Sequence, residues 1–146
     1  MKTESRMFVG VMTGTSVDGL DIAAIDIDPD EKIEIIAAET ITYPPDLREN
    51  LLALSQAETA NIASYGELDA VLGSFIGNSV NSFLRKFGIN SKEVKAIGSH
   101  GQTIRHQPPD TRGNVERSFT LQIGDPNRIA YITKIITIAD FRRMDM

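Results

Sequence analysis

The chain has 146 residues, 41% of them hydrophobic, which is the size of one ordinary domain with enough apolar residues for a core. Its 15 basic and 20 acidic residues give a formal net charge of −5, which argues against nucleic acid as the main partner. It lacks cysteine, an apolar run near the ~20 residues of a membrane span, and an N-terminal signal-peptide pattern. We therefore expect a cytoplasmic protein that binds neither nucleic acid nor a membrane.

The first third of the chain is predicted to form an antiparallel meander of three strands. Residues 7–12, 20–28 and 32–43 have strand length and are rich in β-branched or small apolar side chains. Pro44 and Pro45 end the third strand, and Asp46 is then predicted to cap a short helix.

A long helix is predicted over residues 62–87, where large apolar side chains recur at helical spacing. Gly73 and Gly77 lie four positions apart within it, so we expect another element to approach this helix closely. Gly88 is predicted to follow the helix as its C-cap, because glycine tolerates the left-handed conformation that ends many helices.

The rest of the chain predicts short strands and one further helix. In chain order these are a strand at 94–99 ending in the polar sequence HGQT, an exposed loop at 107–118, a strand at 119–123, a helix at 124–133 with Pro126 in its first turn, and a buried strand at 135–139. Sequential strands followed by a strand–helix–strand order indicate an α/β fold. We expect a mixed sheet with a three-strand antiparallel meander, parallel strands, and helices on its faces.

The connection between the first two predicted strands is unusually polar. Gly14 and Gly19 permit positive φ and leave backbone amides uncovered, while Thr15 and Ser16 add hydroxyl donors. The Asp18 carboxylate is unsuited to a bare phosphate, but it suits a Mg²⁺ ion held between the carboxylate and nucleotide phosphates. The alternative is a decorated hairpin whose hydroxyls and carboxylate satisfy their own backbone.

Four motifs in order resemble the anhydro-N-acetylmuramic acid kinase family: GVMTGTSVDGLD at 10–21, SHGQTIRHQP at 99–108, LQIGDPNRIA at 121–130 and ADFRRMDM at 139–146. The resemblance implies a ribonuclease H-like, actin-like ATPase fold. It also implies an ATP-dependent enzyme that opens the 1,6-anhydro ring of anhydro-N-acetylmuramic acid and phosphorylates O6. The product would be N-acetylmuramic acid 6-phosphate, formed in cell-wall recycling.

Carried over by position, the resemblance implies a catalytic residue, a metal ligand and a set of ATP-binding residues. Asp145 matches the family's catalytic aspartate, for which the alternative is a helix N-cap or a solvated terminal acid. Asp18 is the expected Mg²⁺ ligand, directly or through water. The residues expected to bind ATP are Gly14, Thr15, Ser16, Val17, Asp18, Gly19, Leu20 and Asp21.

Substrate contacts are expected from the two middle motifs. His100 and Gln102 follow a predicted strand and would bind sugar hydroxyls, unless they only stabilise their own loop. Arg128 would meet the lactyl carboxylate of the sugar, the alternative being a surface ion pair. A zinc site at His100 and His106 is disfavoured, because neither cysteine nor a close carboxylate cluster accompanies them.

Members of the family are more than twice as long as this chain. We therefore expect residues 1–146 to form the N-terminal lobe, with the second lobe absent and this fragment inactive by itself. The full-length form is expected to be a homodimer that binds only ATP and the amino sugar. The competing hypothesis is a non-enzymatic nucleotide-binding module of the same superfamily.

Overall fold

A computed structural model of the protein describes residues 6–109 and 115–145. Its strands are β1 (Met7–Thr13), β2 (Gly19–Ile27), β3 (Ile33–Thr42), β4 (Val94–Ser99), β5 (Gln102–Gln107), β6 (Phe119–Ile123) and β7 (Thr137–Ile138). Its α-helices are α1 (Pro45–Gln56), α2 (Ile62–Lys86) and α3 (Pro126–Thr133), with 3₁₀ turns at Ser91–Glu93 and Phe141–Asp145.

The five-stranded sheet has the order β3-β2-β1-β4-β7. Strands β1, β2 and β3 pair antiparallel, with Val11 opposite Ile22, so the predicted meander is confirmed. Strand β4 pairs parallel with both β1 and β7, and Val9 lies opposite Ile97. The predicted mixed α/β sheet is therefore confirmed, and β5 and β6 form a separate antiparallel pair.

Burial alternates along β1 as the two-residue period of a strand requires. Val9 and Val11 are buried, whereas Gly10 and Met12 between them are exposed. The buried side chains join the apolar residues of α1 and α2 in one hydrophobic core. In the described residues this core lies on one face of the sheet. The opposite face carries Gly10 and Met12 and lines an open cavity of about 810 Å³.

Helix α2 forms as the sequence predicts. The Asn61 side chain caps its first turn by accepting from the amides of Ala63 and Ser64, and Gly88 follows its end with φ of +66°. A Cβ atom on Gly73 would lie 2.7 Å from the Asp125 carbonyl oxygen, so the expected close approach is confirmed. No helix in the described residues is both long and apolar enough to cross a bilayer.

Two expectations about local structure are wrong. Asp46 does not cap α1: the capping position is Pro44, which has no side-chain hydrogen bond, and Asp46 lies within the first turn. The predicted buried strand at 135–139 shrinks to the two residues of β7, with Ile136 and Ile138 exposed. Strand β7 forms the edge of the sheet, so its outer side has no neighbouring strand in the described residues to bury these side chains.

A strand that was not predicted from the sequence follows β4 after His100 and Gly101. Residues Gln102–Gln107 form β5, which pairs with β6 and contributes Ile104 to the core. Arg105 donates to the Ala57 carbonyl and thereby ties β5 to the end of α1. Part of the predicted loop at 107–118, residues 110–114, lies outside the described residues.

Candidate functional site

Three polar segments meet at one edge of the sheet. Strands β1, β4 and β7 are parallel, so their carboxyl ends lie on the same side. Residues 14–18 follow β1, His100 and Gly101 follow β4, and Asp140 follows β7. In open α/β sheets, ligands bind outside the carboxyl ends of the strands, so this edge is the candidate site.

The polar turn, residues 14–18, is exposed at this edge. The Val17 amide donates to the Gly14 carbonyl at 3.2 Å, and the side chains of Thr15, Ser16 and Asp18 face solvent. Val17 adopts φ of +54°, which costs a β-branched residue about 1–2 kcal/mol. Its side chain is fully buried, and burying a valine contributes about 1.5–3 kcal/mol, which offsets the strain. The turn therefore keeps a fixed shape while its polar groups remain accessible.

The last three residues of the expected ATP-binding set lie in β2 rather than in the turn. A Cβ atom on Gly19 would lie 2.7 Å from the Ile41 carbonyl oxygen, so β2 and β3 pack here only because Gly19 has no side chain. Leu20 is fully buried in the core. The Asp21 carboxylate accepts from the Thr40 hydroxyl at 2.5 Å and lines the cavity on the open face of the sheet.

Asp18 lies at the turn with its side chain 74% exposed and 3.5 Å from the Arg48 guanidinium. Arg48 also donates to the Val17 carbonyl at 3.0 Å, so α1 holds this side of the turn. Mg²⁺ is commonly held by one or two carboxylates together with phosphate oxygens and water. The exposed Asp18 carboxylate can supply one ligand of that set. Within residues 6–109 and 115–145, no three His, Asp or Glu side chains cluster as a metal site.

Gln102 connects β5 to the polar turn. Its side chain is 1% exposed, and its Oε1 accepts from the Thr13 hydroxyl at 2.7 Å. Its Nε2 donates to the Gly14 and Thr103 carbonyls, each at 3.3 Å. Both the oxygen and the nitrogen of the side-chain amide thus form hydrogen bonds within the protein. The contact of Gln102 with a sugar stays a prediction.

His100 lies between the open face of the sheet and the pocket described next. Its Nδ1 donates to the Gly101 carbonyl at 2.8 Å, which leaves Nε2 to accept from the Arg142 guanidinium at 3.1 Å. The edge of its ring contacts Phe141, with 6.3 Å between ring centroids. These contacts hold the ring in one orientation at the edge of the sheet.

The polar pocket, a cavity of about 150 Å³, opens at the same edge. Its polar lining comes from side chains on α2, the end of β4, β6 and the segment after β7: Tyr65, Asp69, Ser99, His100, Gln122, Asp140 and Arg143. Within the described part of the chain, the buried Ser99 Oγ and Gln122 Oε1 have no hydrogen-bond partner.

Burial is the largest cause of the raised pKa values of two groups that line the pocket, Asp69 and Tyr65. It raises the pKa of the Asp69 carboxyl, although a hydrogen bond from the Gly124 amide at 2.7 Å opposes the shift. Burial likewise raises the pKa of the Tyr65 hydroxyl, with Asp69 adding to the effect. The sequence did not predict Asp69 and Tyr65 as site residues, because single polar residues within a long helix carry no local sign of a site.

Arg128 and Asp145 lie apart from the groups just described. Arg128, with a 53% exposed side chain, donates to the Ser74 hydroxyl at 3.2 Å and lies 3.7 Å from the Asp125 carboxylate. It does not line the polar pocket. Asp145 ends the 3₁₀ turn that follows β7, and its side chain lies outside the described residues. The catalytic role of Asp145 and the substrate contact of Arg128 stay predictions.

Comparison with known proteins identifies the family. Residues 6–146 match the family model described as anhydro-N-acetylmuramic acid kinase. Proteins of that name from Coxiella burnetii and Xanthomonas oryzae pv. oryzae are 48% and 44% identical to the chain over 139 and 146 residues. The matches cover 95% and 98% of the chain but only 35% and 37% of those relatives, so the chain spans about a third of their length. The chain belongs to the anhydro-N-acetylmuramic acid kinase family.

Proposed function

We propose that this chain is the N-terminal lobe of an actin-like ATPase that acts as an anhydro-N-acetylmuramic acid kinase. The observation that carries the proposal is the exposed polar turn, held rigidly beside the polar pocket at the carboxyl edge of the parallel strands. The match to the family over residues 6–146 supports the substrates, ATP and the anhydro sugar. Because ATP is the phosphoryl donor, we assign the reaction to the cytoplasm.

The polar turn is suited to bind the phosphates of ATP. Its backbone amides and the Thr15 and Ser16 hydroxyls offer donors to the phosphate oxygens. Asp18 would hold Mg²⁺, directly or through water, and the bound ion would neutralise phosphate charge. Phosphoryl transfer depends mainly on positioning and charge stabilisation, so a fixed turn tied to α1 by Arg48 suits this role.

The reaction combines ring opening with phosphoryl transfer. Asp145 would act as general base and take a proton from a water molecule that attacks C1 of the sugar. The C1–O6 bond breaks, and O6 receives the γ-phosphoryl group of ATP. One sugar, one water and one ATP thus give N-acetylmuramic acid 6-phosphate and ADP. His100, Gln102 and Arg128 remain our proposed sugar-binding residues from the sequence motifs.

The decisive experiment uses the protein produced from its native gene, read through to the stop codon. With ATP, Mg²⁺ and anhydro-N-acetylmuramic acid, we expect stoichiometric ADP and N-acetylmuramic acid 6-phosphate, followed by mass spectrometry. Asp145→Asn should reduce kcat at least about 100-fold, within the usual range for general-base catalysis, while ATP binding persists. Asp30→Asn, in the exposed turn after β2, is the control. Unchanged turnover in Asp145→Asn rejects the assigned base, and no sugar phosphorylation by the wild type rejects the kinase.

A non-enzymatic nucleotide-binding module is the second candidate. It is favoured by the contacts of Gln102 and His100, whose polar side-chain atoms are bound to other protein groups. Thermal-shift measurements with Mg²⁺–ATP and with the anhydro sugar, each added alone, distinguish the two. Stabilisation by the nucleotide and not by the sugar would favour the module.

A further inference from the structure

Strand β3 forms one edge of the five-stranded sheet, and its outer side meets no other strand of the residues that the structure describes. It is ten residues long, whereas β7, at the opposite edge, has two. A long unpaired strand presents a row of backbone amides and carbonyls to which another strand can bond. Strand β3 is therefore the better of the two edges for pairing with a further strand.

The first half of β3 is apolar and accessible. Ile33, Ile35 and Ile36 are 65%, 69% and 44% exposed. Edge strands that stay unpaired are commonly protected by proline or by several charged side chains. The range Ile33–Thr42 contains no proline, and Glu34 is the one charged residue among its first six. We therefore expect another strand to cover this edge.

A bulge in β3 sets which of its side chains share a face. Ile36 is an extra residue, because Ile35 and Ala37 pair with the consecutive residues Ile25 and Ala24 of β2. Odd-numbered residues before the bulge therefore lie on the same face as even-numbered residues after it. In an antiparallel pair of two copies of β3, an odd-numbered residue at one end must then lie opposite an even-numbered residue at the other.

One such register also matches the charges of the strand. In it, Ile35 lies opposite Ile36 of a second copy, so the two copies bring four isoleucines to the two-fold axis. Lys32, just before β3, lies opposite Glu39 of the second copy, and the symmetry repeats this pair of opposite charges. Glu39 Oε1 accepts from Lys86 at 2.5 Å, so Oε2 can accept from Lys32 of the other copy.

We propose that β3 is an interface between two copies of this protein, in which antiparallel pairing of β3 joins the two five-stranded sheets edge to edge. The partner is a second copy because the strand complements itself in both its apolar and its charged positions. Each copy contributes the same surface, as a two-fold interface requires. The inference goes beyond the proposed function, since β2 separates β3 from the parallel strands that carry the candidate site.

Ile35→Lys tests the interface in the protein produced from its native gene. The wild type should sediment as a dimer at micromolar concentration. The variant places a lysine from each copy beside the two-fold axis, where like charges repel. We expect the dissociation constant of the dimer, measured by sedimentation equilibrium, to rise at least about 100-fold. Ile62→Lys, at an 88% exposed isoleucine that begins α2, is the matched control and should remain dimeric.

A pair of cysteines tests the register. Ile33 and Ala38 are both exposed, and in the proposed register each lies opposite the other residue of the second copy. Within one copy they are separated by roughly 15 Å of strand, which is too far for a disulfide. The double variant Ile33→Cys/Ala38→Cys should therefore form disulfide-linked dimers under mild oxidation, as seen on a non-reducing gel. The wild type, oxidised in the same way, is the control for any cysteine outside residues 1–146.

A monomeric wild type overturns the inference. A dimer whose dissociation constant is unchanged in Ile35→Lys also overturns it, because the interface then lies elsewhere. If Ile35→Lys does not fold, the cysteine pair decides, and the absence of linked dimers overturns the interface.

Turnover, measured alongside, separates failure of this inference from failure of the proposed function. A wild type that phosphorylates the anhydro sugar as a monomer overturns the interface and leaves the kinase intact. A dimer that Ile35→Lys dissociates, but that does not phosphorylate the sugar, supports the interface and overturns the kinase.

Discussion

The polar turn and the polar pocket lie at the same edge of the sheet but differ in how their polar groups are used. The turn is held from both sides, by Gln102 through Thr13 and Gly14 and by Arg48 through the Val17 carbonyl. In the pocket, by contrast, two buried atoms within the described residues have no partner. The difference indicates that protein contacts set the shape of the turn, whereas part of the polar lining of the pocket is held by no described hydrogen bond.

The largest expected effect comes from the base of the turn. Gly19→Ala places a methyl group 2.7 Å from the Ile41 carbonyl oxygen, so β2 and β3 must separate. We expect the free energy of unfolding to fall by about 2–3 kcal/mol, in the upper range for overpacking, as measured by urea denaturation.

Gly10→Ala is the matched control for this substitution. A Cβ atom on Gly10, in the neighbouring strand β1, meets nothing within 4 Å, so stability should change by less than about 1 kcal/mol. Equal losses in the two variants would mean that close strand packing does not fix the turn.

Removing the Gln102 amide tests whether the turn is held by β5. Gln102→Leu removes the 2.7 Å acceptor of the buried Thr13 hydroxyl and one of the two donors to the Gly14 carbonyl, and should cost about 1–2 kcal/mol of stability. The KM for ATP should also rise, because the turn loses its support. Gln107→Leu, at the exposed end of β5, is the control. If Gln102→Leu kept the stability and the KM for ATP of the wild type, the turn would not depend on the Gln102 side chain.

Two hydroxyl deletions compare the regions directly. Thr13→Val removes the donor to Gln102 Oε1 at 2.7 Å and should cost about 1 kcal/mol in thermal or urea unfolding. Ser99→Ala removes a hydroxyl without a described partner, so its stability should stay within about 0.5 kcal/mol of wild type or rise. If Thr13→Val and Ser99→Ala lost the same free energy of unfolding, the hydrogen bond of Thr13 would contribute no more to stability than the unpaired hydroxyl of Ser99.

The smallest effect depends on pH. Burial raises the pKa of Asp69 in the folded state, so the folded protein holds this proton more tightly than the unfolded chain does. The free energy of unfolding therefore falls as the pH rises from the ordinary aspartate pKa, near 4, through the raised pKa. Asp69→Asn keeps an oxygen for the Gly124 amide and removes the titration. The variant should gain Tm relative to wild type between about pH 4 and pH 7, with the difference smallest at the acid end. A difference independent of pH would contradict the assigned shift.

Much of the fold is predictable because its signals are local. The strands of the meander, the long helix α2 and the close approach at Gly73 all follow from spacing and glycine placement. Strand β5 was missed because its sequence, QTIRHQ, is mostly polar and becomes ordered through non-local contacts with β6 and with Ala57. The extent of β7 was overestimated because an apolar run does not reveal whether a neighbouring strand will cover it.

The site is less predictable than the fold. The polar turn carries its own signal in glycines and hydroxyls, and the structure leaves it exposed at the sheet edge. The pocket has no such signal, since Tyr65 and Asp69 on α2 meet Ser99 and Gln122 only after the chain has folded. Such a constellation requires the tertiary structure.

The hydrogen bond between Thr13 and Gln102 also has a kinetic consequence, because these residues are 89 positions apart in the chain. The meander pairs neighbouring segments and can form early, but parallel pairing of β1 with β4 must first close a long loop. The turn and the pocket should therefore acquire their final geometry in the same late refolding step. A nascent chain would have its meander well before it could bind either ligand.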